Sequence, residues 1–163
     1  MAAVGNKIGD KTMEAGFKRI LFCTDFSKGA ARAFKYAVTS AQNNKAKLYI
    51  LHVLPEADAQ FWKGYIVEDG KDLEAKSRGA LHEKLTADYL KELPEGLSSE
   101  TFYRVGNAAQ QIIEFAREHE ISLIVLGRPK PRLLRSLLFG STASKVARYA
   151  PCPLLIVPDT GII

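Results

Sequence analysis

The sequence predicts an α/β protein: a single doubly wound, five-stranded parallel sheet with helices on both faces. Three observations carry this. Five short apolar runs alternate with four stretches whose apolar residues recur at helical spacing. The inner runs are apolar at nearly every position, the pattern of strands covered on both sides by crossover helices. The strand–helix–strand units follow one another with no internal repeat and no second domain.

The first apolar run, 18–24 (KRILFCT), ends at Asp25 and is read as a strand buried on both faces. Asp25, Phe26 and Ser27 form the turn, with Ser27 as helix N-cap. Ala30, Ala33, Phe34, Ala37, Val38 and Ala41 make one helical face reaching about Gln42, and Asn43–Asn44 ends the helix. The second strand is 47–53 (KLYILHV), stopped by Pro55. Strand, four-turn helix and strand make a βαβ unit, hence a parallel sheet.

Residues 56–72 have no clear period and are long for a connection, so Trp62 either covers a ligand or packs onto the domain. A second helix spans 73–93, with Leu81, Leu85 and Tyr89 on one face and Gly79 weakening it. The run 99–105 (SETFYRV) is more polar, as befits a sheet edge. Asn107 and Gln110 resemble a capping box for a third helix that buries Ala109, Ile112, Ile113 and Ala116. The fourth strand is 121–126. The fourth helix runs from about Gly140 to Tyr149 with Ala143, Val146, Ala147 and Ala150 inward, and 154–157 is the fifth strand.

A chain of 163 residues suits one domain with a full core. Its span is expected at 18–163, after a loose leader over 1–17. Hydrophobic residues at 47% and charged residues at 25% are ordinary for a soluble globular protein. No apolar run approaches the roughly 20 residues of a membrane span. The first 17 residues lack the apolar core of a secretion signal, so a cytoplasmic protein is expected. Cys23 and Cys152 form no CxxC and read as small buried thiols, and no Cys/His cluster has metal spacing.

The stretch 121–158 holds the chemistry. It carries Arg128, Lys130, Arg132, Arg135, Lys145 and Arg148 and no acid. The chain is formally +5, so everything outside these six cations sums to −1. Strand, basic loop, Gly140-Ser141-Thr142 at a helix start, then strand is the layout of an anion site. Within the loop from Arg128 to Arg135 no aromatic residues are interleaved with the cations, which favours a small anionic ligand over nucleic acid. In doubly wound sheets ligands lie past the carboxyl ends of the strands, where the winding reverses. Those ends carry Thr24-Asp25, Val53 and Gly127, which converge if the first and fourth strands are neighbours.

Here the residues resemble the universal stress protein family. The resemblance rests on 20–27 (ILFCTDFS), Leu51-His52-Val53, the helix start 106–112 (GNAAQQI), Leu126-Gly127, Gly140-Ser141-Thr142-Ala143 and 150–157 (APCPLLIV). It covers roughly 18–158. It implies a flavodoxin-like, Rossmann-like strand order 3-2-1-4-5 and a homodimer. In one branch it implies an adenine nucleotide site built on Gly-x2-Gly-x9-Gly-(Ser/Thr). Gly127, Gly140 and Ser141 match that pattern, but Lys130 stands at the second glycine, between Pro129 and Pro131. Either Arg128, Lys130 or Arg132 supplies side-chain charge in place of a backbone amide, or the site has lost ATP.

What the resemblance implies for each residue has a plainer counterpart. Asp25 contacts ribose or adenine, or caps the following helix. Thr24 lines the crevice with its hydroxyl. Val53 offers backbone groups to adenine, or is a core residue. Gly127 leaves room for ribose, or is a strand-ending turn. Ser141 and Thr142 seat phosphate, or merely cap their helix. Arg128 to Arg135 bind anion, or form a solvated loop. The ligand is ATP, ADP or AMP, with Mg²⁺ held by no carboxylate cluster beyond Asp25. His52, His82 and His119 pair with no nucleophile and no Walker motif is present, so the chain does not read as an enzyme, slow ATP hydrolysis aside. Strand 154–157, uncharged and at the sheet edge, is the expected dimer seam. The competing readings are a nucleotide-binding regulator and a dimeric interaction module without nucleotide.

Overall fold

The computed structural model describes residues 16–56, 72–128 and 141–159. The elements are β1 (Arg19–Thr24), α1 (Lys28–Asn44), β2 (Lys47–Leu54), α2 (Asp72–Asp88), a 3₁₀ turn (Leu90–Glu92), β3 (Ser99–Val105), α3 (Ala108–Glu118), β4 (Leu123–Arg128), α4 (Ser141–Tyr149) and β5 (Leu154–Pro158). The five strands form one sheet in the order β3-β2-β1-β4-β5, all parallel. The predicted strand order is the observed one. The expected leader and the Trp62 loop fall mainly outside the described residues. Phe17 belongs to the folded body: its N–H donates to Asn44 Oδ1 at 3.1 Å, and its ring packs on the core.

Strand alternation sorts the core into two layers. Ile20, Phe22, Leu48, Ile50, Leu123 and Val125 meet α1 and the end of α2 through Ala33, Phe34, Ala37, Leu85 and Tyr89. Leu21, Cys23, Tyr49, Leu51, Ile124 and Leu126 meet α3 and α4 through Ile112, Phe115, Ala116, Ala143 and Val146. The connection after β1 and the one after β4 thus leave on opposite faces. The winding reverses between these two strands, which are neighbours in the sheet.

Several local readings are sharpened. Ser27 caps α1, accepting from Ala30 N–H at 3.1 Å. The helix runs to Asn44, and Lys45, left-handed at φ 51°, closes it. Asn107 caps α3, but Gln110 turns its side chain to Glu114 at 2.9 Å, so only half of the capping box forms. Phe115, absent from the predicted inner face of α3, is fully buried. Ala147, predicted inward, is exposed: nine residues of α4 present one narrow stripe, filled by Ala143 and Val146. The second helix stops at Asp88, and Tyr89 turns the chain into the 3₁₀ segment. Cys152 is half-buried, not buried as expected, because it lies in the turn before the edge strand.

Candidate functional site

The carboxyl ends of β2, β1 and β4 lie side by side, with Thr24 opposite His52 and Cys23 opposite Leu126. The topology therefore brings Thr24, Asp25, Val53, Gly127 and Arg128 to one rim of the sheet. Alternation then splits them. Val53 packs against the layer holding Ala143, on the α3/α4 side. Thr24 and Gly127 turn to the α1/α2 side.

Gly127 shows why. A Cβ there would lie 2.3 Å from the carbonyl carbon of Gly29 and 2.5 Å from Ala30 N. A Cβ on Gly29 would lie 2.8 Å from the carbonyl oxygen of Arg128. The first turn of α1 and the end of β4 touch backbone to backbone. The sequence reading assigned Gly127 to ligand space or a turn. β4 instead continues through it to Arg128, paired in register with Pro158.

Thr24 is 5% exposed, and its hydroxyl is engaged inside the protein. It accepts from Phe26 N–H at 2.9 Å and shares a 2.8 Å hydrogen bond with the Tyr89 hydroxyl. His52 Nδ1–H donates to the Thr24 carbonyl at 2.8 Å, since a carbonyl can only accept. This fixes the His52 tautomer and ties β2 to β1 at the rim. Burial pushes the Tyr89 phenol above its ordinary value, partly offset by the Thr24 bond, so it remains a neutral hydroxyl. Burial likewise pushes the Cys23 thiol up, leaving it inert.

Asp25 is exposed and closes a local turn: its Oδ1 accepts from Ser27 N–H at 3.0 Å. Phe26, next in line, has φ 60°, an uncommon backbone conformation for an aromatic residue. Its ring lies 4.7 Å from that of His52 and 6.1 Å from that of Tyr89, with Lys84 Nζ 4.9 Å from its centroid. Phe26, His52, Tyr89 and Gly29 had no functional signal in the sequence. Only a glycine in the first helical turn hinted at close backbone packing.

Ser141 is exposed and Thr142 half-buried in the first turn of α4. Ala143 anchors that turn in the layer that includes Cys23 and Leu126. The helix therefore begins beside the rim, on the Val53 side. Lys130, Arg132, Arg135 and Gly140 lie outside the described residues. Of the remaining cations in this stretch, Lys145 lines a groove between α3 and α4 with Arg117 and Glu114, and Arg148 stacks on Tyr149. Among the described residues, the cations of this stretch are thus shared between the rim, at Arg128, and the outer side of α4. Among the described residues no group of three or more His, Cys, Asp or Glu is placed to hold a metal, and no helix is long and apolar enough to cross a membrane.

The sequence model of the universal stress protein family matches residues 16–158. Universal stress protein YxiE of Bacillus subtilis is 31% identical over 150 residues, covering 86% of this chain and 99% of its own. Among solved structures, UspA from Lactobacillus plantarum gives a TM-score of 0.66 at 26% identity, covering 88% of this chain and 99% of its own. MJ0577 of Methanocaldococcus jannaschii gives 0.71 at 24%, covering 89% and 98%. Two further structures sharing the fold carry nucleotides. A universal stress protein in complex with cAMP gives 0.57 at 23%, covering 90% and 100%. One from Archaeoglobus fulgidus in complex with dAMP gives 0.56 at 21%, covering 86% and 97%.

Proposed function

This chain belongs to the universal stress protein family, and we propose that it is a small regulatory protein that binds an adenine nucleotide at the carboxyl rim of its sheet, between β1 and β4. The observation that carries the reading is the start of α4. Ser141 and Thr142 stand at a helix N-terminus held beside the rim by Ala143, on the same side as Val53. Free N–H groups, two hydroxyls and the positive end of a helix dipole together suit a phosphate. Adenine then packs on Val53, Asp25 takes the ribose hydroxyls, and Arg128 and Lys130 answer the phosphate charge. The dAMP and cAMP complexes of fold neighbours lend the reading support at the level of ligand class. They favour AMP-type ligands alongside ATP and ADP. Thr24 contributes to this site through its backbone and its support of the turn, since its hydroxyl is engaged elsewhere. The role we propose is binding rather than turnover. We further propose that the protein works in the cytoplasm as a homodimer joined along β5.

Mass spectrometry of material released from the denatured protein, followed by calorimetric titration with ATP, ADP and AMP, tests the reading. A nucleotide that co-purifies, or binds below millimolar concentration, is expected. Ser141→Ala with Thr142→Ala is expected to weaken AMP about tenfold, the effect of losing one or two charge-assisted hydrogen bonds, and to leave adenosine unaffected. Absence of any binding at millimolar concentration refutes the proposal. It would favour the second reading, an interaction module without nucleotide, to which Lys130 at the second glycine position points.

A further inference from the structure

The turn after β1 is strained and is held from a distance. Phe26 occupies the left-handed region at φ 60°, which a side chain with a Cβ avoids unless its surroundings impose it. Two side-chain acceptors impose it here. Thr24 Oγ1 takes the Phe26 N–H at 2.9 Å, and Asp25 Oδ1 takes the Ser27 N–H at 3.0 Å. The first acceptor is oriented in turn by the Tyr89 hydroxyl at 2.8 Å. Tyr89 is 1% exposed and 65 residues further along the chain. It touches the turn twice, through its hydroxyl and through its ring, which stacks on Phe26 with an interplanar angle of 24°.

A buried pair of hydroxyls adds nothing to packing that a phenylalanine and a valine would not supply, and hydroxyl burial is costly unless bonded. The pair has a local use, though. It fixes Thr24 Oγ1 as an acceptor aimed at the strained amide, and the strained amide sets the direction in which Asp25 leaves the sheet. Asp25 spends one carboxylate oxygen on the turn and is exposed. It is the residue assigned above to the ribose.

We infer that Tyr89 is a positioning residue of the nucleotide site, holding Asp25 against the ribose through the Thr24 hydroxyl and the left-handed Phe26 turn. The inference rests on the nucleotide reading. It extends that reading to a residue on the far side of the sheet that touches no ligand. Tyr89 is delivered there by the end of α2, so α2 and the ribose subsite are coupled through three hydrogen-bonding groups.

The test is calorimetric titration of ATP and 2′,3′-dideoxy-ATP against wild type, Tyr89→Phe, Thr24→Val, Thr24→Ser, Asp25→Ala and the Tyr89→Phe/Asp25→Ala pair. Wild type is expected to prefer ATP. Tyr89→Phe and Thr24→Val should each bind ATP about fivefold more weakly, the effect of one hydrogen bond, and dideoxy-ATP as wild type does. Thr24→Ser, which keeps the hydroxyl, should restore the preference. Tyr89→Phe should add nothing in the Asp25→Ala background. Full additivity with Asp25→Ala, or an unchanged ATP preference in Tyr89→Phe, overturns the inference while leaving nucleotide binding intact. If Tyr89→Phe fails to fold, Thr24→Val against Thr24→Ser decides by the same criterion. If wild type binds neither nucleotide, the underlying reading has failed and this one falls with it.

Discussion

Replacing Gly127 by alanine puts one methyl group where β4 and α1 meet. The added carbon would sit 2.3 Å from the Gly29 carbonyl carbon and 2.5 Å from both Ala30 N and Gly29 O. Ordinary contact begins near 3.4 Å, so α1 and β4 must part by roughly 1 Å. Neither side yields by a rotamer change, because every opposing atom is backbone. β4 is pinned between β1 and β5, and the first turn of α1 is pinned by the Ser27 cap and by buried Ala30. Overpacking a tight core costs about 1–3 kcal/mol, and an unyielding backbone contact places this case near 3 kcal/mol. For a domain of this length that lowers Tm by roughly 6–12 °C. Gly79→Ala is the control: nothing lies within 4 Å of its new carbon, and the exposed helical site should gain about 0.5–1 kcal/mol. Urea unfolding of both variants, followed by far-ultraviolet circular dichroism, measures the difference. A Gly127→Ala protein with a wild-type urea midpoint refutes the packing account.

Two further outcomes follow from the edges of the sheet. Glu118 is held below the ordinary glutamate range by its hydrogen bond from Arg104 and by the Arg104 charge. A depressed carboxylate stabilises the fold above the unfolded pKa, and the contribution is lost as pH falls through the folded one. The gap in urea midpoint between wild type and Glu118→Gln should therefore be present at neutral pH and shrink below about pH 4.5; a gap that widens in acid contradicts the assignment. At the other edge, Ile124 N–H donates to the Pro153 carbonyl, so in the parallel ladder Pro153 and Leu155 face β4 while Leu154 and Ile156 turn their backbone outward. Ile156→Pro removes one outward donor and spares the ladder to β4. Sedimentation should show wild type at twice 18.0 kDa and the variant at 18.0 kDa; a monomeric wild type refutes the β5 seam.

Much of the fold was legible because it is written in local pattern. The inner strands are unbroken apolar runs, and α1 shows its buried face through Ala30, Ala33, Phe34, Ala37 and Ala41. Ser27 and Asn107 mark helix starts by a chemistry that acts over three residues. What was missed acts across the chain. Phe115 is buried because α3 lies against Tyr49 and Phe102, giving a wider apolar face than the stripe alone implied. Tyr89 reads as one more apolar residue on a helix until β1 brings Thr24 to its hydroxyl. The Gly29–Gly127 contact joins two glycines whose partnership no spacing rule reveals.

This last contact changes how the site should be weighed. In the sequence, Gly127 counted as the first glycine of a nucleotide loop, and its match stood against the mismatch at Lys130. Backbone packing against Gly29 fully explains a glycine at 127, with or without a ligand. The match at 127 therefore carries no weight for nucleotide, and loss of binding in a Gly127 variant would report the displaced α1–β4 contact as readily as a lost ribose contact. Support for the site then comes from features that packing does not demand. Ser141 and Thr142 lie in a helix turn that Ala143 alone would anchor, and Asp25 is exposed on a turn that the interior strains to hold. Substitutions at Ser141, Thr142 and Asp25 leave the core untouched. At Ser141 and Thr142 a change in affinity can be read as chemistry of the ligand; at Asp25 the same holds for Asp25→Asn, which keeps an oxygen to accept from Ser27 N–H.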